Sequence, residues 1–466
     1  MSMADDMLQR QRHAFIQDGQ PTLEQRRADL KALRKVVKSN REQIERAVDT
    51  DFGGRSSYET ALLDIVGVIR AIDYLDRNLK LFMTPERRHV AALFQRGRAW
   101  VEYQPLGVIG ILSPWNFPFL LSMVPLATAL AAGNRVMLKP SELTPETSAL
   151  MKAMLADALP EEKIAVILGD AAIGAEFSGL PFDHLFFTGS TAVGRSVMKA
   201  ASENLVPVTL ELGGKSPTII LPGKASQETA AAIVLGKLAN AGQTCVAPDY
   251  VFVQENEVGD FVDKFGRAVS KSYPDGSKSA DYTSICSDRH FTRLKALLDD
   301  AERKGATLRT VGGKADEQPR RRVISPTLVL NPRDDMAVMQ DEIFGPILPV
   351  LTYRDIHEVI AYINERPRPL ALYVFGDERS EDCRKILSNT TSGNVGINNT
   401  VLHVAQDDLP FGGVGASGIG AYHGIEGFRR MSHAKGVFSQ GRFSIPNRLR
   451  PPYGRLTKAA IAFLLR

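Results

Sequence analysis

Cysteine is scarce in this chain, with only Cys245, Cys286 and Cys383 among 466 residues. Three cysteines build no disulfide framework, and no Cys-x-x-Cys or Cys/His spacing announces a metal site, so none is expected. A reducing cytoplasm is the expected compartment. An excess of one charge is also missing: 57 Lys plus Arg face 53 Asp plus Glu, a net charge of +4 with no long basic block. That balance argues against a nucleic-acid partner. Hydrophobic residues at 44% and charged residues at 24% fit an ordinary folded chain and exclude wholesale disorder. At roughly 150 residues per domain, the length allows about three structural units.

No membrane span is expected. The stretch between Glu102 and Arg135 carries no charge, but Pro105, Pro114, Pro118 and Pro125 interrupt it, as do Gly107, Gly110 and Gly133. A spanning helix of about 20 residues would have to absorb several of those prolines, so strand, turn and buried helix are expected instead. The opening Met1-Ser-Met-Ala-Asp-Asp6 has no apolar run behind it, so no signal peptide is expected. Ala459–Leu465 is apolar but too short to span, and is expected to pack on the protein or on a partner subunit.

What is present is alternation. Thr22 and Gln25 form a capping-box pattern ahead of Leu30, Leu33, Val36 and Val37, which predicts a helix, and Glu59–Leu75 predicts a second. Short apolar runs follow at Val108–Leu112, Arg135–Leu138, Lys163–Leu168, His184–Phe187 and Pro207–Leu210. Helical stretches lie between them at Phe119–Ala131, Pro145–Ala156, Ala171–Phe177 and Thr191–Ser202. Such alternation predicts βαβ units around a buried parallel sheet. A second α/β series runs from Ser216–Leu221 to Ile347–Tyr353, followed by a Gly-rich loop at Phe411–Gly424 and an Arg- and Pro-rich tail expected to be extended. The fold class is therefore α/β: two Rossmann-type parallel-sheet lobes plus an arm.

Several residues could carry chemistry, each with a plain alternative. Cys245, in Asn240-Ala-Gly-Gln-Thr-Cys245, lies in a loop after a helical stretch, which suits a nucleophile or an inert small hydrophobe. Glu211 closes a strand ahead of two glycines, where a general base could stand, or a salt-bridge partner. Asn116, in Ser113-Pro-Trp-Asn-Phe-Pro118, could donate to an oxyanion or shape an Asx turn. In Phe187-Thr-Gly-Ser-Thr-Ala-Val-Gly194, Gly189 and Ser190 open a helix whose free N–H groups suit phosphate, or simply cap it. Lys139 and Glu142 could hold ribose hydroxyls or form a solvated pair.

Six motifs in order raise the specificity. Ser113-Pro-Trp-Asn-Phe-Pro, Leu138-Lys-Pro-Ser-Glu, Phe187-Thr-Gly-Ser-Thr-Ala-Val-Gly, Leu210-Glu-Leu-Gly-Gly-Lys, Gly242-Gln-Thr-Cys and Glu342-Ile-Phe-Gly-Pro together resemble the aldehyde dehydrogenase superfamily. The resemblance runs from the first helix to about Lys435. The Pro410–Gly424 loop is similar to that of the class 3 branch, and Ala247-Pro-Asp-Tyr and Ser432-His-Ala-Lys to bacterial coniferyl aldehyde dehydrogenases. One departure is Ile397-Asn398-Asn399, where an Asp is expected after the first Asn; it bears on fine specificity near His403.

The resemblance implies Cys245 as nucleophile, Asn116 and the Cys245 N–H as oxyanion donors, and Glu211 as the base that hydrolyses a thioester after hydride has left to nicotinamide. It implies NAD, with NADP possible, held by Trp115, Lys139, Glu142, Gly189, Ser190, Val193, Gly194, Leu212, Glu342 and Phe344. It further implies a cofactor lobe over 1–87 and 106–211, a catalytic lobe over 212–412, and an arm and tail over 88–105 and 413–466 that join a homodimer. The implied substrate is a small-molecule aldehyde, aromatic and coniferyl-like, with medium-chain aliphatic aldehydes, a CoA-acylating reaction and a silent structural role as the other readings.

Overall fold

The computed structural model describes residues 2–91, 94, 97–312, 322–441 and 449–465. Among the described residues, three sheets organise the chain. In the first, Ile164–Val166, Arg135–Lys139, Val108–Leu112, His184–Thr188 and Val208–Glu211 lie side by side and parallel, and Gly418–Ile419 closes the last edge antiparallel. All five parallel strands are buried along their whole length, as a sheet covered on both faces requires. Their positions follow the apolar runs; only Lys163–Leu168 contracts, to Ile164–Val166. The uncharged stretch becomes strand, turn and helix. Leu120–Ala131 is a buried helix that tolerates Pro125, and among the described residues no helix is long and apolar enough to cross a membrane.

The second sheet has seven strands, in the order Thr307–Thr310, Thr327–Leu330, Ile347–Tyr353, Tyr250–Gln254, Pro217–Ile220, Ala371–Phe375 and Asn394–Ile397. All neighbours are parallel except the first pair. Ala371–Phe375 and Asn394–Ile397 did not stand out in the sequence. The third sheet is a small antiparallel one of Glu86–Arg88, Arg98–Pro105 and Ser432–Ser439.

Both hydrogen bonds of the capping box form at Leu23–Ser39. The second helical stretch is more broken than its periodicity predicts. Ser57–Thr60 runs through a π-turn at Ala61–Ile65 into Val66–Phe82. The extra residue of that turn places Asp64 fully inside, 2.8 Å from the buried Arg55 and accepting the Leu120 N–H at 3.0 Å. An unexpected helix, Met3–Asp18, sends Gln11 into the first lobe, where its amide donates to the Val136 and Glu161 carbonyls at 3.0 and 2.8 Å. Of the tail expected to be extended, Gln440–Tyr453, residues 442–448 lie outside the described residues; after it Arg455–Leu464 is a helix, and Phe463 and Leu465 are 78% and 82% exposed, so its apolar end does not pack on its own chain.

Candidate active site

The loop carrying Cys245 is built by backbone conformation. Gln227–Leu238 ends in three left-handed residues, Asn240, Ala241 and Gly242, with φ of 53°, 50° and 75°. At position 242 a side chain would also collide with the Gly345 carbonyl. Side chains then fix the turn. The Asn240 N–H donates to Glu59 at 2.6 Å, and the fully buried Gln243 amide donates to the Asn240 and Ser284 carbonyls at 3.0 Å each. Its Oε1 accepts the Cys286 N–H at 2.9 Å. Tyr373 donates its hydroxyl to the Val246 carbonyl at 2.6 Å.

Asn116, buried after the strand Val108–Leu112, donates from Nδ2 to the Gln243 carbonyl at 3.1 Å, and its own carbonyl accepts from Asn240 Nδ2 at 2.8 Å. The carboxamide is thus tied to the cysteine loop. Glu211 reaches the same place from the end of Val208–Glu211. It is 3% exposed, and neither carboxyl oxygen has a hydrogen-bond partner. Burial pushes its carboxyl well above the usual range. The Cys245 thiol is pushed up to about 12, first by burial and then by the neighbouring Glu342 and Glu211 carboxyls. Glu342 is itself raised to about 8, chiefly by burial.

The cysteine closes the inner end of a cavity of about 230 Å³. Phe117, Leu121, Val124, Val401, Phe411 and Tyr422 form much of its apolar wall. Phe411 stacks between two histidines, at 5.1 Å from His423 and 6.1 Å from His403 between ring centroids. Burial pushes both imidazoles down to about 4, so they sit neutral. Asn398, at the departure noted in the sequence, brackets Gly376 with two 2.8 Å hydrogen bonds, and Asn399 turns back to the Ile397 carbonyl at 2.8 Å.

The residues expected to hold a dinucleotide sit largely at strand ends and helix starts of the first sheet. Lys139, buried at its strand end, donates to Glu142 at 3.1 Å. Ser190 caps Thr191–Ser202 by accepting the Val193 N–H at 3.4 Å, and Gly189 joins that cap to the strand. Thr188 beside it is buried with an unpartnered hydroxyl. A side chain at Gly194 would stand 2.6 Å from Leu212, so glycine lets helix and strand end approach. The Glu342 carboxyl lies directly over Gly213, where a Cβ would strike it. Phe344, at φ 53°, meets Trp115 edge-on at 5.4 Å between ring centroids. A phosphate-ready helix N-terminus, a Lys/Glu pair at the next strand end and a carboxyl over a glycine together fit a dinucleotide.

Sequence reasoning missed Gln243, Tyr373, Tyr422, His423 and the Arg55–Asp64 pair. Gln243 stood inside a quoted motif. Tyr422 and His423 stood inside the Pro410–Gly424 loop; Tyr373 and the Arg55–Asp64 pair are signalled only by three-dimensional packing.

Two parallel sheets that meet at a cysteine loop, with a strand-to-helix phosphate turn beside it, define a dinucleotide-dependent α/β oxidoreductase. The chain belongs to the aldehyde dehydrogenase family, whose model matches residues 2–437. A probable coniferyl aldehyde dehydrogenase of Pseudomonas aeruginosa is 50% identical over 98% of this chain and 94% of its own length. The coniferyl aldehyde dehydrogenase of a Pseudomonas strain is 46% identical over 98% and 95%. Among solved structures, a substrate-bound Staphylococcus aureus AldH superposes with a TM-score of 0.93 at 35% identity, covering 100% of both chains. A Mycobacterium tuberculosis aldehyde dehydrogenase complexed with NAD+ gives 0.85 at 28% identity, over 96% and 92%. The protein is an NAD(P)-dependent aldehyde dehydrogenase.

Proposed function

We propose that this enzyme oxidises an aromatic aldehyde of the coniferyl type to its carboxylic acid, using NAD in preference to NADP. The observation that carries the reading is the apolar, aromatic-walled cavity ending at Cys245, together with relatives named for coniferyl aldehyde. Cys245 attacks the aldehyde carbon once its thiol has lost a proton. The Asn116 amide and the Cys245 N–H then hold the oxyanion. NAD(P), when bound, supplies the hydride acceptor. The thioester left on Cys245 is hydrolysed by a water that Glu211, in its carboxylate form, deprotonates.

In this reading Trp115, Lys139, Glu142, Gly189, Ser190, Val193, Gly194, Leu212, Glu342 and Phe344 form the dinucleotide cleft. Residues 1–87 and 106–211 are the cofactor domain, 212–412 the catalytic domain, and 88–105 with 413–466 an arm. The uncovered apolar helix Arg455–Leu464 supports a homodimer, and the three unpaired cysteines support a cytoplasmic setting. Glu211 favours hydrolysis over transfer to CoA, because a deacylating base serves only the former. The test is NADH formation and acid release, without CoA, across a kcat/KM panel of coniferyl aldehyde, benzaldehyde and hexanal. A lead for hexanal, or a requirement for CoA, counts against the proposal.

A further inference from the structure

The cavity is apolar along most of its wall but not at its outer end. There Arg70 and Tyr74, on the helix Val66–Phe82, and Asp407, on the loop after the short turn Leu402–Ala405, line it together. Arg70 donates to the Ala405 carbonyl at 2.7 Å and stands 3.5 Å from the Asp407 carboxylate. Tyr74 donates its hydroxyl to Asp408, the next residue along. These contacts fix Asp407, while a carboxylate accepts up to about four hydrogen bonds and keeps acceptor sites beyond Arg70.

The helix also measures the cavity. Gly67 touches Leu120, four residues after Asn116, whereas Tyr74 lies against Gly424. Seven residues at about 1.5 Å rise separate Gly67 from Tyr74, so the helix runs roughly 10 Å along the wall between them. An aldehyde joined to a ring through a short conjugated arm spans a distance of that order.

We infer that Asp407 is a specificity-determining residue that accepts a hydrogen bond from a hydroxyl on the far side of the substrate ring, with Arg70 and Tyr74 holding it in position. The enzyme therefore selects ring-hydroxylated aromatic aldehydes over unsubstituted ones. This rests on the aromatic-aldehyde reading above and deepens it. Asp407 also ties its loop to the helix, and a purely tying role lowers kcat/KM for every aromatic aldehyde alike.

The experiment compares coniferyl aldehyde with cinnamaldehyde, which lacks the ring substituents, in the wild type, Asp407→Ala and Asp407→Asn. A hydrogen bond to a charged group discriminates about 10-fold or more. The wild type should favour coniferyl aldehyde by that factor in kcat/KM. Asp407→Ala should collapse the ratio towards one, with the loss falling on coniferyl aldehyde. Asp407→Asn, which keeps the volume and an acceptor oxygen, should retain part of it, so a poorly folded Ala variant leaves the question answerable. An unchanged ratio in both variants overturns the inference and leaves the aromatic-aldehyde reading standing. Failure of the wild type to oxidise either compound, while hexanal is turned over, overturns both.

Discussion

The Asn116 carboxamide donates to the carbonyl of Gln243, two residues ahead of Cys245, at 3.1 Å. The proposed oxyanion donor and the proposed nucleophile are therefore held by one turn, and the remaining Asn116 N–H is the one left for substrate in that proposal. Removing a preorganised oxyanion donor costs about 2.7–4 kcal/mol of barrier, so Asn116→Ala should slow turnover roughly 100- to 1000-fold. Single-turnover NADH formation measures it. A normal rate there removes Asn116 from the chemistry.

Gln243 makes three side-chain hydrogen bonds in a dry setting, to Asn240, Ser284 and Cys286. Gln243→Ala leaves those groups unpaired, which costs about 1–3 kcal/mol for a buried donor or acceptor. A lowered urea midpoint and a kcat that falls more than KM rises are expected. A variant with full stability would show that water replaces the amide.

Thiolate is rare in the free enzyme, because burial pushes the Cys245 thiol up to about 12. Alkylation by iodoacetamide should therefore accelerate by about tenfold per pH unit between 7 and 10. A cationic nicotinamide ring beside the sulfur would favour its charged form, so saturating NAD+ should raise the rate at pH 7. A pH-independent rate, or Cys245→Ala labelled as fast as wild type, would refute this.

Glu211 offers a linked test of function and stability. Its carboxyl is raised above 4.5 by burial, so the folded state binds that proton more tightly than the unfolded one. Its contribution is complete below pH about 4.5 and is lost as pH rises through the folded value. The stability difference between Glu211→Gln and wild type should therefore shift in favour of the variant as pH increases. The same variant should still give a burst of NADH and then stall as the thioester accumulates. Steady turnover equal to wild type would exclude Glu211 as the base.

In the proposed dinucleotide cleft, cofactor choice turns on Glu142, which accepts from Lys139 at 3.1 Å. A carboxylate there opposes a 2′-phosphate, so KM should be lower for NAD than for NADP, and Glu142→Gln should narrow the gap. An NADP preference in the wild type would move Glu142 away from the ribose.

Much of the frame was legible because strands buried on both faces write continuous apolar runs. Val108–Leu112 and Ile347–Tyr353 have the same limits in sequence and structure. Ala371–Phe375 is just as buried but escaped notice, lying close behind Pro367 and Pro369. The π-turn at Ala61–Ile65 left no trace either, since its cause is the pairing of Asp64 with Arg55 and the Leu120 N–H, not local periodicity. Site residues inside motifs could be named in advance. Those on the cavity wall, such as Arg70 and Asp407, come from distant segments and become neighbours only through folding.

The two-residue strand Gly418–Ile419 pairs with Leu210 and Glu211, and the Leu212 N–H donates to Ser417 at 3.0 Å. A ribosome that has delivered the first 212 residues has supplied every parallel strand of the nucleotide sheet, yet one flank stays open until residue 419 emerges. Until then the backbone of Leu210 and Glu211 lacks its edge partner. The proposed base Glu211 thus depends on a segment more than two hundred residues later in the chain for the pairing of its own strand.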